Sequence, residues 1–158
     1  MNTEKKPNRS IKAKHQEEIL SNSETKPSEV TDSFWVYAER KKGGYPKSTP
    51  RSGKWLVFVN LENVDEVWAK IKNAVEEGRL GDSAKVATAK KKPLYEDSKV
   101  KVICVYTYDW ADEIDVRRIR EELKKLGITN KIPYKTDQDT YDGKYLVNDN
   151  KNISKYYE

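Results

Sequence analysis

The sequence predicts an α+β domain, a curved, mostly antiparallel sheet with two main helices packed on one face. Two runs of strong strand formers, Trp55-Leu56-Val57-Phe58-Val59 and Val100 to Tyr108, supply the centre of a sheet. Two longer segments instead repeat apolar residues at the i, i+3, i+4, i+7 spacing of a helix face. The signals follow one another as strand, strand, helix, strand, strand, helix, strand. That order suits a single sheet with its helices on one side.

Residues 1–31 lack aromatics and are rich in Lys, Glu, Ser, Asn and Pro, so they cannot bury enough apolar area to offset the cost of ordering. They are expected to form a disordered N-terminal arm, with the folded domain spanning 32–147 and a flexible tail over 148–158. Phe34-Trp35-Val36-Tyr37 opens the domain as a strand, and Lys41-Lys42-Gly43-Gly44-Tyr45-Pro46 is a loop. The strand from Trp55 to Val59 follows Ser52-Gly53-Lys54.

The first helix is expected to be capped by Asn63, with Glu66 completing a capping box. Its buried face is Val64, Val67, Trp68, Ile71, Ala74 and Val75, and Gly78 is its stop. Ser83 to Thr88 reads as a strand of small residues interrupted by Lys85. A charged loop runs from Lys90 to Ser98, and the strong strand over Val100 to Tyr108 follows. Asp112 can cap the second helix, whose stripe is Val116, Ile119, Leu123 and Leu126 and whose stop is Gly127. Ile132-Pro133-Tyr134-Lys135 is a last extended piece.

Composition excludes several chemistries. Cys104 is the only cysteine, so no intramolecular disulfide forms and a zinc site lacks ligands. Its neighbours Val102, Ile103 and Val105 mark it as a buried small hydrophobe. The only histidine, His15, lies in the arm, which removes cysteine–histidine and serine–histidine catalysis from the folded domain. Neither a Rossmann nor a Walker glycine pattern is present, and no cofactor or metal is expected. No segment approaches the roughly 18 apolar residues of a membrane span, and residues 1–9 lack the apolar stretch of a signal peptide. A cytoplasmic location is the expectation.

Lys and Arg number 31 against 26 Asp and Glu, a net charge of +5 that mildly favours anionic partners. Position says more than the total. Lys54 opens a strand, Lys85 interrupts one, and Lys135 sits between Tyr134 and Thr136. Lysines in strands are most often edge or solvent-face residues. If these three share the face away from the helices, their ammonium groups converge on one surface that an anion would relieve. Arg118 could join them from the second helix, although pairing with Glu121 or Glu122 is its plainer use. Asp109 and Asp112 read as helix-capping carboxylates, and Trp55 and Trp68 as packing. Trp110, just past a strand end, could stack on a base beside the lysines.

Several segments together look familiar: Ser52-Gly53-Lys54-Trp55, Val64-Asp65-Glu66-Val67-Trp68, Ser83-Ala84-Lys85-Val86-Ala87-Thr88, Val102-Ile103-Cys104-Val105-Tyr106-Thr107, Tyr134-Lys135-Thr136-Asp137 and Thr140-Tyr141-Asp142-Gly143-Lys144-Tyr145. As a set, over residues 34 to 146, they resemble the basophilic-leukaemia-expressed protein family, whose bacterial members carry a phosphothreonine lyase label. The resemblance implies the fold of the cap-binding translation initiation factor, a curved antiparallel sheet whose concave face holds ligand. It implies that Trp35 or Trp110 could stack on a base, although no second tryptophan or acidic partner aligns. The lyase label implies a lysine base and phosphate clamp, with Tyr106 or Tyr134 in place of the histidine acid of known enzymes.

Three functions stay open. The first is a binding module for a phosphate-bearing ligand (a nucleotide, an RNA end or a phosphorylated small molecule) held by Lys54, Lys85, Lys135, Arg118 and Trp110. The second is phosphothreonine β-elimination, and the third is an interaction scaffold with a protein partner.

Overall fold

The computed structural model describes residues 25–92, 99–143 and 154–158. A six-stranded antiparallel sheet in the order β1-β3-β4-β2-β5-β6 forms its frame. The strands are β1 (Trp35–Glu39), β2 (Gly53–Asn60), β3 (Ser83–Ala87), β4 (Val100–Thr107), β5 (Pro133–Thr136) and β6 (Tyr156–Tyr157). Helices α1 (Leu61–Glu76) and α2 (Glu113–Lys125) complete the core, and a short α3 (Asp137–Tyr141) follows β5 directly. The fold class expected from the sequence is the one observed.

Alternation along the strands decides what faces the helices. Trp55, Val57 and Val59 of β2, Ala84 and Val86 of β3, and Ile103 and Val105 of β4 are buried in one core. They meet Val64, Trp68, Ile71 and Val75 of α1 and Val116, Ile119 and Leu123 of α2. The opposite, open face carries the intervening residues. At the far end of β2 this face is uncovered, and Phe58 is exposed there.

Three boundaries differ from the sequence expectation. Helix α1 begins at Leu61, with Asn60 as its N-cap, so Asn63 and Glu66 lie inside the helix and form no capping box. Strand β2 runs into the helix without a loop, and Lys99 O accepts the Leu61 N–H at 2.6 Å in place of a side-chain cap. The arm is shorter than expected, because Pro27–Glu29 form a 3₁₀ turn with Pro27 buried. Ala89 N donates to Pro27 O at 3.1 Å, and Asp65 accepts from both Ser28 N and Ser28 Oγ at 2.9 and 2.5 Å. The rest of the expected arm lies outside the described residues.

The end of the tail is likewise built in. Strand β6 pairs with β5, and Tyr156 packs on Tyr134 and Trp55 with ring centroids 5.4 and 6.4 Å away. The fully buried Arg120 guanidinium donates to Glu158 O, Ile128 O and Asn130 O. Aromatic burial plus satisfied carbonyls therefore holds a terminus whose composition alone reads as tail.

The other helix signals hold. Asp112 Oδ1 accepts from Asp115 N at 3.2 Å, which caps α2. Gly78 ends α1 with φ of +80°, and a Cβ there would stand 2.5 Å from Lys42 O, so glycine is required. Among the described residues no helix is long and apolar enough to cross a membrane.

Candidate functional site

Strand pairing carries the lysines onto one surface. On the open face, Tyr37 of β1 stands opposite Lys85 of β3, Lys85 opposite Cys104 of β4, and Cys104 opposite Leu56 of β2. Two residues along β2, Lys54 stands between Tyr106 of β4 and Lys135 of β5. Lys54, Lys85 and Lys135 therefore share the face opposite α1 and α2, as the alternation argument required.

Two of the three are buried, at 6% exposure for Lys54 and 4% for Lys135. Helix α3 closes over this corner because Thr136 Oγ1 caps it, accepting from Asp139 N at 3.0 Å. That turn brings Asp137 back to the sheet. Lys54 Nζ lies 2.8 Å from Asp137 Oδ1 and 2.7 Å from Thr140 Oγ1, and Ser52 Oγ donates to Asp137 Oδ2 at 2.6 Å. Burial, and then the Lys54 charge, hold the Lys135 ammonium below its ordinary pKa of 10.5.

Cys104 is buried beside these cations, and burial pushes its thiol up despite the pull of Lys85 and Lys54. It remains a thiol, in keeping with its reading as a small core residue. The Tyr106 phenol is raised by burial first, then by Cys104 and Asp137, so it keeps its proton at neutral pH.

Towards the β1 edge the face changes character. Lys85 is half-buried, with its Nζ 4.0 Å from the centroid of the Trp35 ring. Lys92 Nζ lies 5.8 Å from the same ring, and Lys90 Nζ lies 4.4 Å from that of Phe34. Tyr37 and Phe58 are exposed at 62% and 50%.

Two expected site residues lie elsewhere. Arg118 belongs to α2 on the helix side of the sheet, where it pairs with Asp115 at 2.9 Å and donates to the carbonyls of Arg79 and Leu80. Glu121 and Glu122, its expected partners, are taken by Lys124 and Lys125. Trp110 is also on the core side. Its ring lies under Lys155 Nζ at 3.8 Å and its carbonyl accepts from Tyr156 OH at 2.8 Å, so it anchors the C-terminal strand and is not part of the lysine face. Tyr134 is fully buried with its hydroxyl 2.6 Å from Thr107 Oγ1, which removes it as an acid for the open face. Asp109 is paired with Arg51 at 2.6 Å and accepts from Ala111 N, a structural use.

The sequence reading missed Asp137, which reaches Lys54 only through the β2–β5 pairing, and Tyr37, and it raised Trp35 only through the family resemblance. Their alternation in a short strand was the available signal. Among the described residues no group of three or more His, Cys, Asp or Glu could hold a metal ion.

Comparison with known proteins agrees with this architecture. The model of a family described as basophilic leukemia-expressed protein Bles03 matches residues 47–143. A Caenorhabditis elegans eIF4E-3, solved with the 4E-binding protein Mextli and a cap analog, is similar over 90% of this chain and 80% of its own, at 18% identity and a TM-score of 0.62. A schistosome eIF4E complexed with m7GpppA and 4E-BP is similar over 91% and 80%, at 16% identity and a TM-score of 0.63. An Ascaris suum eIF4E-3 with the m2,2,7G cap is similar over 75% and 72%, at 20% identity and a TM-score of 0.53. At these identities the likeness is one of fold. Both the resemblance and the fold expected from it are borne out.

Proposed function

The chain belongs to the Bles03 family, and from that premise we propose that it is a binding module for a phosphate-bearing ligand, a nucleotide or an RNA end, held on the open face of the sheet. The observation that carries this reading is the convergence of Lys54, Lys85 and Lys135 on the one face that α1 and α2 leave uncovered. Like charges directly opposite across a strand pair are unfavourable, and Lys54 and Lys135 are so placed. Asp137 beside Lys54 and Asp139 near Lys135 offset part of that cost, and a bound anion offsets more. Lys85, half-exposed and without a carboxylate among its described contacts, is the direct phosphate contact, with Lys54 and Lys135 supplying field from below. Solved structures of this fold carrying m7GpppA and the m2,2,7G cap lend support to a nucleotide-type ligand. Those carrying 4E-BP and Mextli are compatible with a protein partner as well.

A thermal-shift panel of phosphate-bearing compounds tests the reading, since a ligand that binds only the folded state raises its melting temperature. At least one nucleotide is expected to do so, with an affinity that falls as salt rises. Lys85→Glu is expected to abolish the shift and flatten the salt dependence. An unchanged affinity in that variant would sink the reading.

One observation favours a second reading, phosphothreonine β-elimination. Lys135 is shifted towards its neutral, basic form, and Tyr106 stays protonated nearby on the same face. Lys135 would take the α-proton, the Cβ–O bond would break, and the leaving phosphate would take up the Tyr106 proton. A phosphothreonine peptide incubated with the protein should then lose the elements of phosphoric acid in a mass spectrum. A peptide intact across the pH range from neutral to alkaline excludes this chemistry.

A further inference from the structure

The open face carries aromatic rings as well as lysines, and they are arranged in order. Trp35 and Tyr37 are alternate residues of β1, so both side chains stand on the open face, about 7 Å apart along the strand. Phe58 of β2 carries a further ring on the same face, towards the Trp35 end of the strands. Tyr37 and Phe58 are exposed by half or more, and Trp35 is half-buried. Exposed rings gathered on one face are a candidate contact surface, which needs a second feature to define it.

Among the described residues, the cations over the Trp35 ring are both lysines. Lys85 and Lys92 stand within 5.8 Å of the Trp35 centroid, and Lys90 covers Phe34 at 4.4 Å. Among the described residues, the acidic groups placed on the face lie away from this end. Glu39 closes the opposite end of β1, and Asp137 and Asp139 belong to the α3 corner. One end of the face is therefore both aromatic and positive.

We infer that this edge is a platform for a single-stranded oligonucleotide, with one base stacked on Trp35, the next reaching Tyr37, and the linking phosphates on Lys85 and Lys92. The inference rests on the phosphate-binding reading above and extends it from a lone nucleotide to several linked ones. Charge and ring chemistry choose the occupant. A neutral apolar peptide would leave the lysines unused, and an acidic peptide would leave the rings unused. A nucleic acid strand offers a π-face and an anion at every residue. The spacing agrees, because 7 Å is about twice the 3.4 Å rise of stacked bases. Successive bases would lie splayed on separate rings, as on other sheet platforms for single strands.

Fluorescence anisotropy with a labelled single-stranded RNA hexamer tests this, with a nucleoside triphosphate measured in parallel. Trp35→Ala is expected to weaken hexamer binding about tenfold, the loss of one stacked base, and to leave the triphosphate within about twofold. Trp35→Phe keeps a ring and is expected to restore most of the affinity, which separates stacking from any loss of folding. If Lys85→Glu abolishes binding of both ligands while Trp35→Ala leaves the hexamer unchanged, the platform is refuted and the phosphate-binding reading stands. If neither variant affects either ligand, both fall. A hexamer that does not bind at all overturns the platform. So does sedimentation showing that a second copy of the chain covers this face and that Tyr37→Lys disperses the pair.

Discussion

The two ends of the open face use the same residue type in opposite ways. At the β5 corner, Lys54 and Lys135 are buried under α3, and Lys54 is locked to Asp137 and Thr140. At the β1 edge, Lys85, Lys90 and Lys92 lie over aromatic rings with their ammonium groups near solvent. A buried cation that is hydrogen-bonded and paired is costly to disturb, whereas a surface cation contributes little to folding and is available to a ligand. The difference teaches that a lysine count does not locate a binding surface. Burial and pairing divide the lysines into those that shape the face and those that can exchange partners.

Four substitutions break or sharpen that contrast. Asp137→Ala removes the carboxylate hydrogen-bonded to Lys54 while Lys54 stays buried, so the unfolding free energy in a denaturant titration should fall by about 3 kcal/mol. Lys85→Glu at the edge should change stability by less than about 0.5 kcal/mol while costing at least about tenfold in affinity for a phosphate-bearing ligand. If the two variants lose equal stability, the division is wrong. Asp112→Ala, on the helix side, removes one cap and should cost about 1 kcal/mol without touching ligand affinity.

The smallest effect is the pH dependence of the corner. The folded pKa of Lys135 lies below its ordinary 10.5, so over the interval between the two the unfolded chain binds more protons. Stability from this group therefore rises with pH across that interval, and its burial penalty is fully present below it. Lys135→Met should be more stable than the parent at neutral pH, and the gap measured by denaturant midpoints should narrow as pH approaches 10.5. A gap that is constant with pH would mean that Lys135 carries its charge without penalty in the folded state.

Most of the fold was legible along the chain. Trp55, Val57 and Val59 announce a central strand, and Val116, Ile119 and Leu123 a helix stripe, because these patterns repeat with the period of the element itself. The errors fell where partners come from far away. Asn63 fits a capping box on paper, but Lys99 O takes the first helical N–H and the helix starts earlier. Tyr156 reads as tail until Tyr134 and Trp55 supply a surface for it. Trp110 looked free for stacking for the same reason, since Lys155 and Tyr156, which occupy it, lie well beyond it in sequence.

The sequence by itself determined the class of the fold and the side on which each strand residue stands, because alternation is a local property of extended chain. It also determined that Lys54, Lys85 and Lys135 each sit in a strand. Only the tertiary structure decided which strands are neighbours. The order β1-β3-β4-β2-β5-β6 sets Lys135 against Lys54, turns Asp137 onto Lys54, and leaves Lys85 beside Trp35 at an edge. Register and neighbour choice are settled by burial summed over the whole sheet, a quantity that no single segment of the chain contains.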